Sequence, residues 1–240
     1  HGHVVVVEMR RPPHNFFDID LITALADAFE AIDREVDLRC IVLAAQGRSF
    51  CAGADFSRGT EKPGDLYASA VRLFATRKPI VGAIQGPAVG GGLGLALAPD
   101  FRVVSPEARF AANFVKLGFH PGFGLTHTLP RLIGIQKAAL LLYTGRRIDA
   151  EEALGWGLAD QLVPADDLRA AAISLAAEIA EAAPLAVIAT RATLRARLVE
   201  AFKTQTAHEA LEQTKLSATK DFHEGVQAVA ERRPGKFVGA

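Results

Sequence analysis

The stretch Ala83-Ile84-Gln85-Gly86-Pro87-Ala88-Val89-Gly90-Gly91-Gly92-Leu93-Gly94-Leu95-Ala96-Leu97-Ala98 decides how this chain is read. An apolar run, Pro79 to Ile84, leads into it and has the character of a buried strand. Gly86-Pro87 marks a turn. Three consecutive glycines then open a short apolar helix, which Pro99 stops. A helix that begins on glycines leaves its first N–H groups unpaired and uncovered by side chains. Together with the positive end of the helix dipole, those groups suit a developing negative charge. The same glycines also permit close helix–strand packing with no ligand at all.

Two phosphate-binding patterns can be tested on this stretch. A P-loop ends in Gly-Lys-Ser/Thr, whereas Gly92 is followed by Leu93. The dinucleotide fingerprint needs a small residue where this chain has Leu95. An oxyanion on a carbonyl carbon is the better match.

The 240 residues predict one large domain, or one with a small appendage. Half of them are hydrophobic, enough for a substantial core. Lys+Arg and Asp+Glu both number 27, which argues against nucleic acid or an anionic membrane as the main partner. No apolar run is long enough to span a bilayer. Cys40 and Cys51 are expected to be reduced thiols in a cytoplasmic protein, because a large, cysteine-poor core needs no disulfide.

Along the chain, Val4 to Met9 predicts a first strand. Leu21, Leu25, Ala28, Phe29, Ile32 and Val36 recur with helical spacing, with Asp18 or Asp20 as cap. Cys40 to Ala45 is a second buried strand, ending in the loop Gln46 to Asp55. Arg58 to Asp65 reads as a mobile loop, and Leu66 to Thr76 as a helix. After the glycine helix come a strand at Phe101–Val104, an extended or irregular piece at Ala108–Val115, and a second glycine cluster, Leu117 to Gly124. Helices are predicted over Thr126–Leu132, Gln136–Thr144 and Ala150–Trp156, then a strand at Gln161–Val163. Four longer helices follow: Asp166–Ala182, Pro184–Glu200, Thr204–Ser217 and Thr219–Arg232. Their apolar faces either dock on a neighbouring subunit or fold back on their own core.

This alternation predicts a mainly parallel α/β arrangement. Two strands end in loops of small residues, Ala52-Gly53-Ala54 and Gly90-Gly91-Gly92. If the strands are neighbours, N–H groups from both loops converge on one carbonyl oxygen, the geometry for an enolate or tetrahedral oxyanion.

The chain resembles the crotonase superfamily, the enoyl-CoA hydratase/isomerase family. The resemblance lies in Gly47-Arg48-Ser49-Phe50-Cys51-Ala52-Gly53-Ala54-Asp55 and in Lys78 to Leu93. It continues in Leu129-Pro130-Arg131-Leu132-Ile133-Gly134, Tyr143 to Ile148, Ala153 to Leu158 and Asp221-Phe222-His223-Glu224-Gly225. It implies a ββα spiral core over residues 1–182 and a C-terminal helical trimerisation region over 183–240. It further implies an acyl-CoA thioester as substrate, with coenzyme A carried by the substrate and no separate cofactor or metal, and a homotrimer or dimer of trimers. On this likeness the oxyanion hole falls on the N–H groups of Ala54 and Gly91. Ala52, Gly53, Asp55 and Gly90 fall on the substrate-binding loops, and Lys236 is a candidate for the coenzyme A phosphates.

The chain departs from the family where the hydratases carry two glutamates. It has Gly94 at one of these positions and Phe114 at the other, and neither exchanges a proton. Some relatives instead carry an aspartate in the second glycine cluster, where this chain has Gly122 and Phe123. His120 in the same cluster is a candidate acid or base, or a loop histidine with no chemical role. Glu61 and Asp65 lie in the loop near the pocket, Asp18 is better explained as a helix cap, and Cys51 as a buried small side chain. His14 has no assigned role, and His127 falls on a helix as a surface or packing residue. Phe110, Phe114, Phe119 and Phe123 are candidates for a dry pocket wall, or for ordinary core. Two functions follow: an acyl-CoA enzyme of the lyase or isomerase type, or an acyl-CoA-binding protein of the same fold that has lost catalysis.

Overall fold

The strand Cys40–Ala45 is buried along its whole length, and a strand apolar on both faces must be covered on both sides. The computed structural model, which describes residues 2–55 and 63–240, places it second in a five-stranded sheet. The strands are β1 (Val4–Met9), β2 (Cys40–Ala45), β3 (Ile80–Ile84), β4 (Ala88–Val89), β5 (Phe101–Val104), β6 (Arg109–Ala111), β7 (Arg147–Asp149) and β8 (Gln161–Leu162). The helices are α1 (Ile19–Arg34), α2 (Pro63–Ala75), α3 (Gly91–Ala96), α4 (Leu125–Ile133), α5 (Ile135–Thr144), α6 (Ala150–Trp156), α7 (Leu168–Glu181), α8 (Pro184–Leu194), α9 (Leu198–Leu216) and α10 (Lys220–Ala230). The main sheet runs β1-β2-β3-β5-β8 and every pairing in it is parallel. A smaller sheet, β4-β6-β7, pairs Phe110 with Ala88 on one side and Ile148 on the other.

The period of two along a strand separates the two faces of the main sheet. Cys40, Val42 and Ala44 join Val4, Val81, Ala83 and Val103 against α7. That helix presents Leu168, Ala172, Ala176 and Ala180, one turn apart, so small side chains let it lie close to the sheet. Ile41, Leu43, Ile80, Ile84 and Val104 belong to the larger core with α1. Asp18 starts α1 by accepting the Leu21 N–H at 2.9 Å, and Leu21, Ile22, Leu25, Ala26, Phe29 and Ile32 form its buried stripe.

The C-terminal helices cover their own chain: α9 packs on α2 and α4, and α10 on the 3₁₀ helix Asn113–Leu117. Leu185 and Leu194 of α8 stay exposed. Among the described residues no single helix is long and apolar enough to cross a membrane.

The expected helix Pro184–Glu200 is in fact two pieces. α8 ends at Leu194, Arg197 takes a left-handed φ of 64°, and α9 begins at Leu198 rather than Thr204. No glycine or proline marks the break. Tertiary contacts impose it: half-buried Asp100 holds Arg191 at 2.8 Å and Arg195 at 2.7 Å, while Phe202 stacks on Phe74 at 4.0 Å. The expected irregular piece Ala108–Val115 divides into β6 and the 3₁₀ helix.

Burial pushes the Asp100 carboxyl up, but Arg191 and Arg195 outweigh it and hold it below its ordinary value. Its stabilising contribution is therefore complete above the unfolded-state value of roughly 3.9 and is lost as pH falls through the lower folded value. Asp100→Asn, which strands two guanidinium groups, is expected to cost about 3 kcal/mol in urea denaturation at neutral pH. The gap between variant and wild type should narrow in acid.

Candidate active site

β2 and β3 pair in parallel, with Ile41 opposite Ile80, Val42 opposite Val81 and Leu43 opposite Gly82. Their C-terminal ends therefore share one sheet edge, as the sequence predicts for neighbouring strands. The loops that leave this edge are stitched together by main-chain bonds. The Cys51 N–H donates to the Pro87 carbonyl at 3.2 Å, and the Val89 N–H donates to the Cys51 carbonyl at 3.0 Å. The Phe17 N–H donates to the Gly53 carbonyl at 3.0 Å, and Ala54 forms a bridge with Phe17.

Two glycines make this contact sterically possible. A Cβ on Gly92 would run into the Cys51 carbonyl, and one on Gly53 (φ 88°) would lie 2.8 Å from the Val89 carbonyl oxygen. The Gly91 nitrogen is 3.8 Å from that same point on Gly53, so the Gly53-Ala54 loop and the first turn of α3 are neighbours. Gly91 is the first residue of α3, and Gly90 precedes it with no side-chain cap. Neither the Ala54 nor the Gly91 N–H donates a hydrogen bond to another described residue. Ala52 and Asp55 flank this junction and are half-buried.

Aromatic rings enclose the glycine turn. A Cβ on Gly91 would overlap the Phe17 ring and lie 3.6 Å from Cδ2 of Phe123. One on Gly94 would be 2.7 Å from the Phe123 Cβ, so that ring occupies the space a longer side chain would need. Cζ of Phe114 and Oδ1 of Asn113 border Gly90, at 3.8 and 3.3 Å from its Cβ position. Phe110 is core in the small sheet, and Phe119 turns to Phe222 of α10 with ring centroids 4.9 Å apart. Phe17 and Asn113 are the neighbours that the sequence does not single out. Phe17 arrives from the first loop through its bridge to Ala54, a contact with no local signature.

The remaining candidates lie elsewhere or are occupied. Nδ1 of His120 is 2.6 Å from the Pro121 carbonyl oxygen, its ring is 6.0 Å from that of His208 on α9, and its own carbonyl accepts from Gln213. A Cβ on Gly122 would run into the Tyr67 hydroxyl, which donates to Oε1 of Gln213 at 2.8 Å. Burial keeps that phenol above its ordinary value. Burial likewise pushes the Cys51 thiol up to about 12, which removes it as a nucleophile. Asp18 is a cap paired with Arg11 at 2.6 Å, and His14 lies 3.2 Å from the Ser49 hydroxyl. His127, on α4, is half-buried, and burial with Arg131 nearby holds its imidazole below its ordinary value. Asp65 is exposed in the first turn of α2, and Glu61 lies outside the described residues. Lys236 is exposed in the C-terminal tail, where its N–H donates to Glu224 at 2.8 Å. Among the described residues no three His, Cys, Asp or Glu side chains are grouped to hold a metal ion.

Glu209 on α9 is the buried carboxylate that sequence patterning misses. It accepts from the Gly124 N–H at 2.7 Å, the Thr126 N–H at 3.2 Å and the Thr126 hydroxyl at 2.5 Å, and so fixes the turn into α4. Burial pushes its carboxyl up to about 7 against those three bonds.

The family model for enoyl-CoA hydratase/isomerase matches residues 1–240. The chain is 34% identical to the carnitinyl-CoA dehydratase of Proteus mirabilis, over 99% of this chain and 96% of that one. It is 33% identical to the 2,3-dehydroadipyl-CoA hydratase of Escherichia coli, covering 98% and 95%. The crystal structure of an enoyl-CoA hydratase/isomerase from Pseudoalteromonas atlantica superposes with a TM-score of 0.88 at 30% identity, covering 98% and 96%. The chain belongs to the enoyl-CoA hydratase/isomerase family, within the crotonase superfamily, and has its α/β fold with a helical C-terminal region.

Gly92→Ala should destabilise the protein by about 1–3 kcal/mol through overpacking at the loop junction. Gly155→Ala in α6, where a Cβ meets nothing within 4 Å, should gain about 0.5–1 kcal/mol. Thermal and urea unfolding of the pair separate a steric requirement from a general glycine effect. Because the folded Glu209 value lies above the unfolded one of about 4.3, the native state binds the extra proton. Stability should fall as pH rises from there to about 7, and Glu209→Gln should remove that slope.

Proposed function

We propose that this protein acts on an acyl-CoA thioester and holds its carbonyl oxygen between the N–H groups of Ala54 and Gly91. The reading is supported by one observation above the others: two loops from adjacent parallel strands meet at Gly53 and Gly91, with the Ala54 and Gly91 donors unspent on described residues. Two such donors stabilise the charge that grows on a thioester oxygen when an enolate or a tetrahedral adduct forms. They cost nothing to reorganise, because the sheet edge already fixes both. Coenzyme A enters as part of the substrate, along Ala52, Gly53, Asp55 and Gly90, with Lys236 as a candidate for its phosphates.

Proton transfer is where this chain diverges from a hydratase that works through two glutamates. Gly94 and Phe114 take those positions, and Phe123 packs over the first of them. Addition of water by paired carboxylates has no acid at either of these two positions to carry it. Isomerisation, retro-Claisen cleavage or thioester hydrolysis needs the polarised carbonyl and a single base, for which His120 is the candidate. A second reading is favoured by the same aromatic surround: acyl-CoA binding without turnover. The trimer or dimer of trimers is part of the proposal, with exposed Leu185 and Leu194 available to bury.

Turnover of enoyl-, β-ketoacyl- and aryl-CoA thioesters distinguishes the two readings. An enzyme turns over at least one class, and Ala54→Pro, which deletes one donor N–H, should lower that rate about 100- to 1,000-fold with folding preserved by circular dichroism. Tight binding with no turnover anywhere in the panel supports the binding protein. His120→Ala with an unchanged rate removes His120 from the mechanism.

A further inference from the structure

Phe123 combines three properties that ordinary core packing does not require together. It is a bulky residue at a φ of 57°, a left-handed conformation that side chains rarely adopt. Its ring is almost wholly buried, yet it lies against the glycine turn: Cδ2 is 3.6 Å from the Cβ position of Gly91, and its Cβ, Cγ and Cδ1 all lie within 2.9 Å of that of Gly94. It is also held by three other rings, Phe17 with centroids 5.5 Å apart, and Tyr67 and Phe202 edge-on at 6.4 Å each. The strained backbone persists because its surroundings over-determine it. Glu209 binds the Gly124 and Thr126 N–H groups immediately after Phe123, and the Tyr67–Gln213 pair fills the space beside Gly122 immediately before it. Two independent buried clamps thus fix one ring against the first turn of α3.

We propose that Phe123 is the specificity-determining residue of the acyl pocket, a stop that limits the substrate to short acyl groups. This rests on the reading that the thioester carbonyl lies at Ala54 and Gly91. From that point an acyl chain running along α3 reaches the Phe123 ring within the length of Gly91 to Gly94, less than one helical turn. Beyond it the space is filled by Phe202, Phe74 and Tyr67. The stop also explains why glycine stands at position 94: with Phe123 in place, no larger side chain fits.

The test is calorimetric titration of coenzyme A and of acetyl-, butyryl-, hexanoyl-, octanoyl- and decanoyl-CoA into wild type, Phe123→Ala and Phe123→Leu. Wild type is expected to bind acetyl- or butyryl-CoA best, with affinity falling at longer chains. Phe123→Ala should bind octanoyl-CoA about ten-fold tighter than wild type does, since each accommodated methylene contributes severalfold. Coenzyme A itself should bind all three proteins equally, and Phe123→Leu, the gentler change should the alanine variant not fold, should shift in the same direction by less. A wild type that prefers octanoyl- or decanoyl-CoA, or a folded variant with an unaltered chain-length profile, overturns the stop. A wild type that binds neither coenzyme A nor any thioester overturns the acyl-CoA reading itself, and the two failures are distinguishable on the wild-type titrations alone.

Discussion

The structure depends on one backbone approach, the contact between the loop at Cys51–Gly53 and the start of α3 at Gly90–Gly92. Everything at the candidate site is referred to it. The parallel pairing of β2 with β3 delivers both loops to the same edge, and bonds through Cys51, Pro87 and Val89 fasten them. The distance can close this far only because Gly53 and Gly92 have no side chain to keep the strands of backbone apart. Donors placed on such a junction are held by a sheet rather than by a flexible side chain. That is the condition under which hydrogen-bond donors are worth most to a developing charge.

Around this fixed junction the chain has built an apolar enclosure. Phe17, Phe114 and Phe123 border the glycine turn, and the Asn113 amide oxygen lies 3.3 Å from the Cβ position of Gly90. Two titratable groups close by in the fold serve structure. Glu209 caps the turn into α4 and Tyr67 is tied to Gln213, while the His120 ring lies against the Pro121 carbonyl oxygen and neighbours His208 on α9. A dry site strengthens whatever dipoles remain in it, main-chain N–H groups included.

Much of this was legible in the residues. Strands β1, β2 and β5 and helix α6 fall on the bounds that their apolar runs predict, because a continuous buried strand or a capped helix is specified locally. The two small-residue loops were visible at the strand ends, but their meeting was conditional on the strands being neighbours, which the pairing of β2 with β3 supplies. The break between α8 and α9 was not visible, since Arg195, Ala196 and Arg197 carry no breaker residue and the turn is imposed by Asp100 and by the Phe74–Phe202 stack. Glu209, Phe17 and Asn113 were illegible for the same reason. Each meets the site through partners far away in the chain, and nothing near it in sequence distinguishes it from a surface acid, a loop aromatic or a polar cap. Phe123 was visible as an aromatic in a glycine cluster, but its left-handed backbone was not.

The central claim is most directly tested by a crystal structure with a non-reactive acyl-CoA thioether or amide analogue that retains the carbonyl oxygen. The account predicts that oxygen within about 2.7–3.1 Å of both the Ala54 and the Gly91 nitrogen, with the acyl group turned toward Phe123. An analogue bound with its carbonyl away from both nitrogens would contradict it, as would Ala54 and Gly91 amides directed apart in the complex.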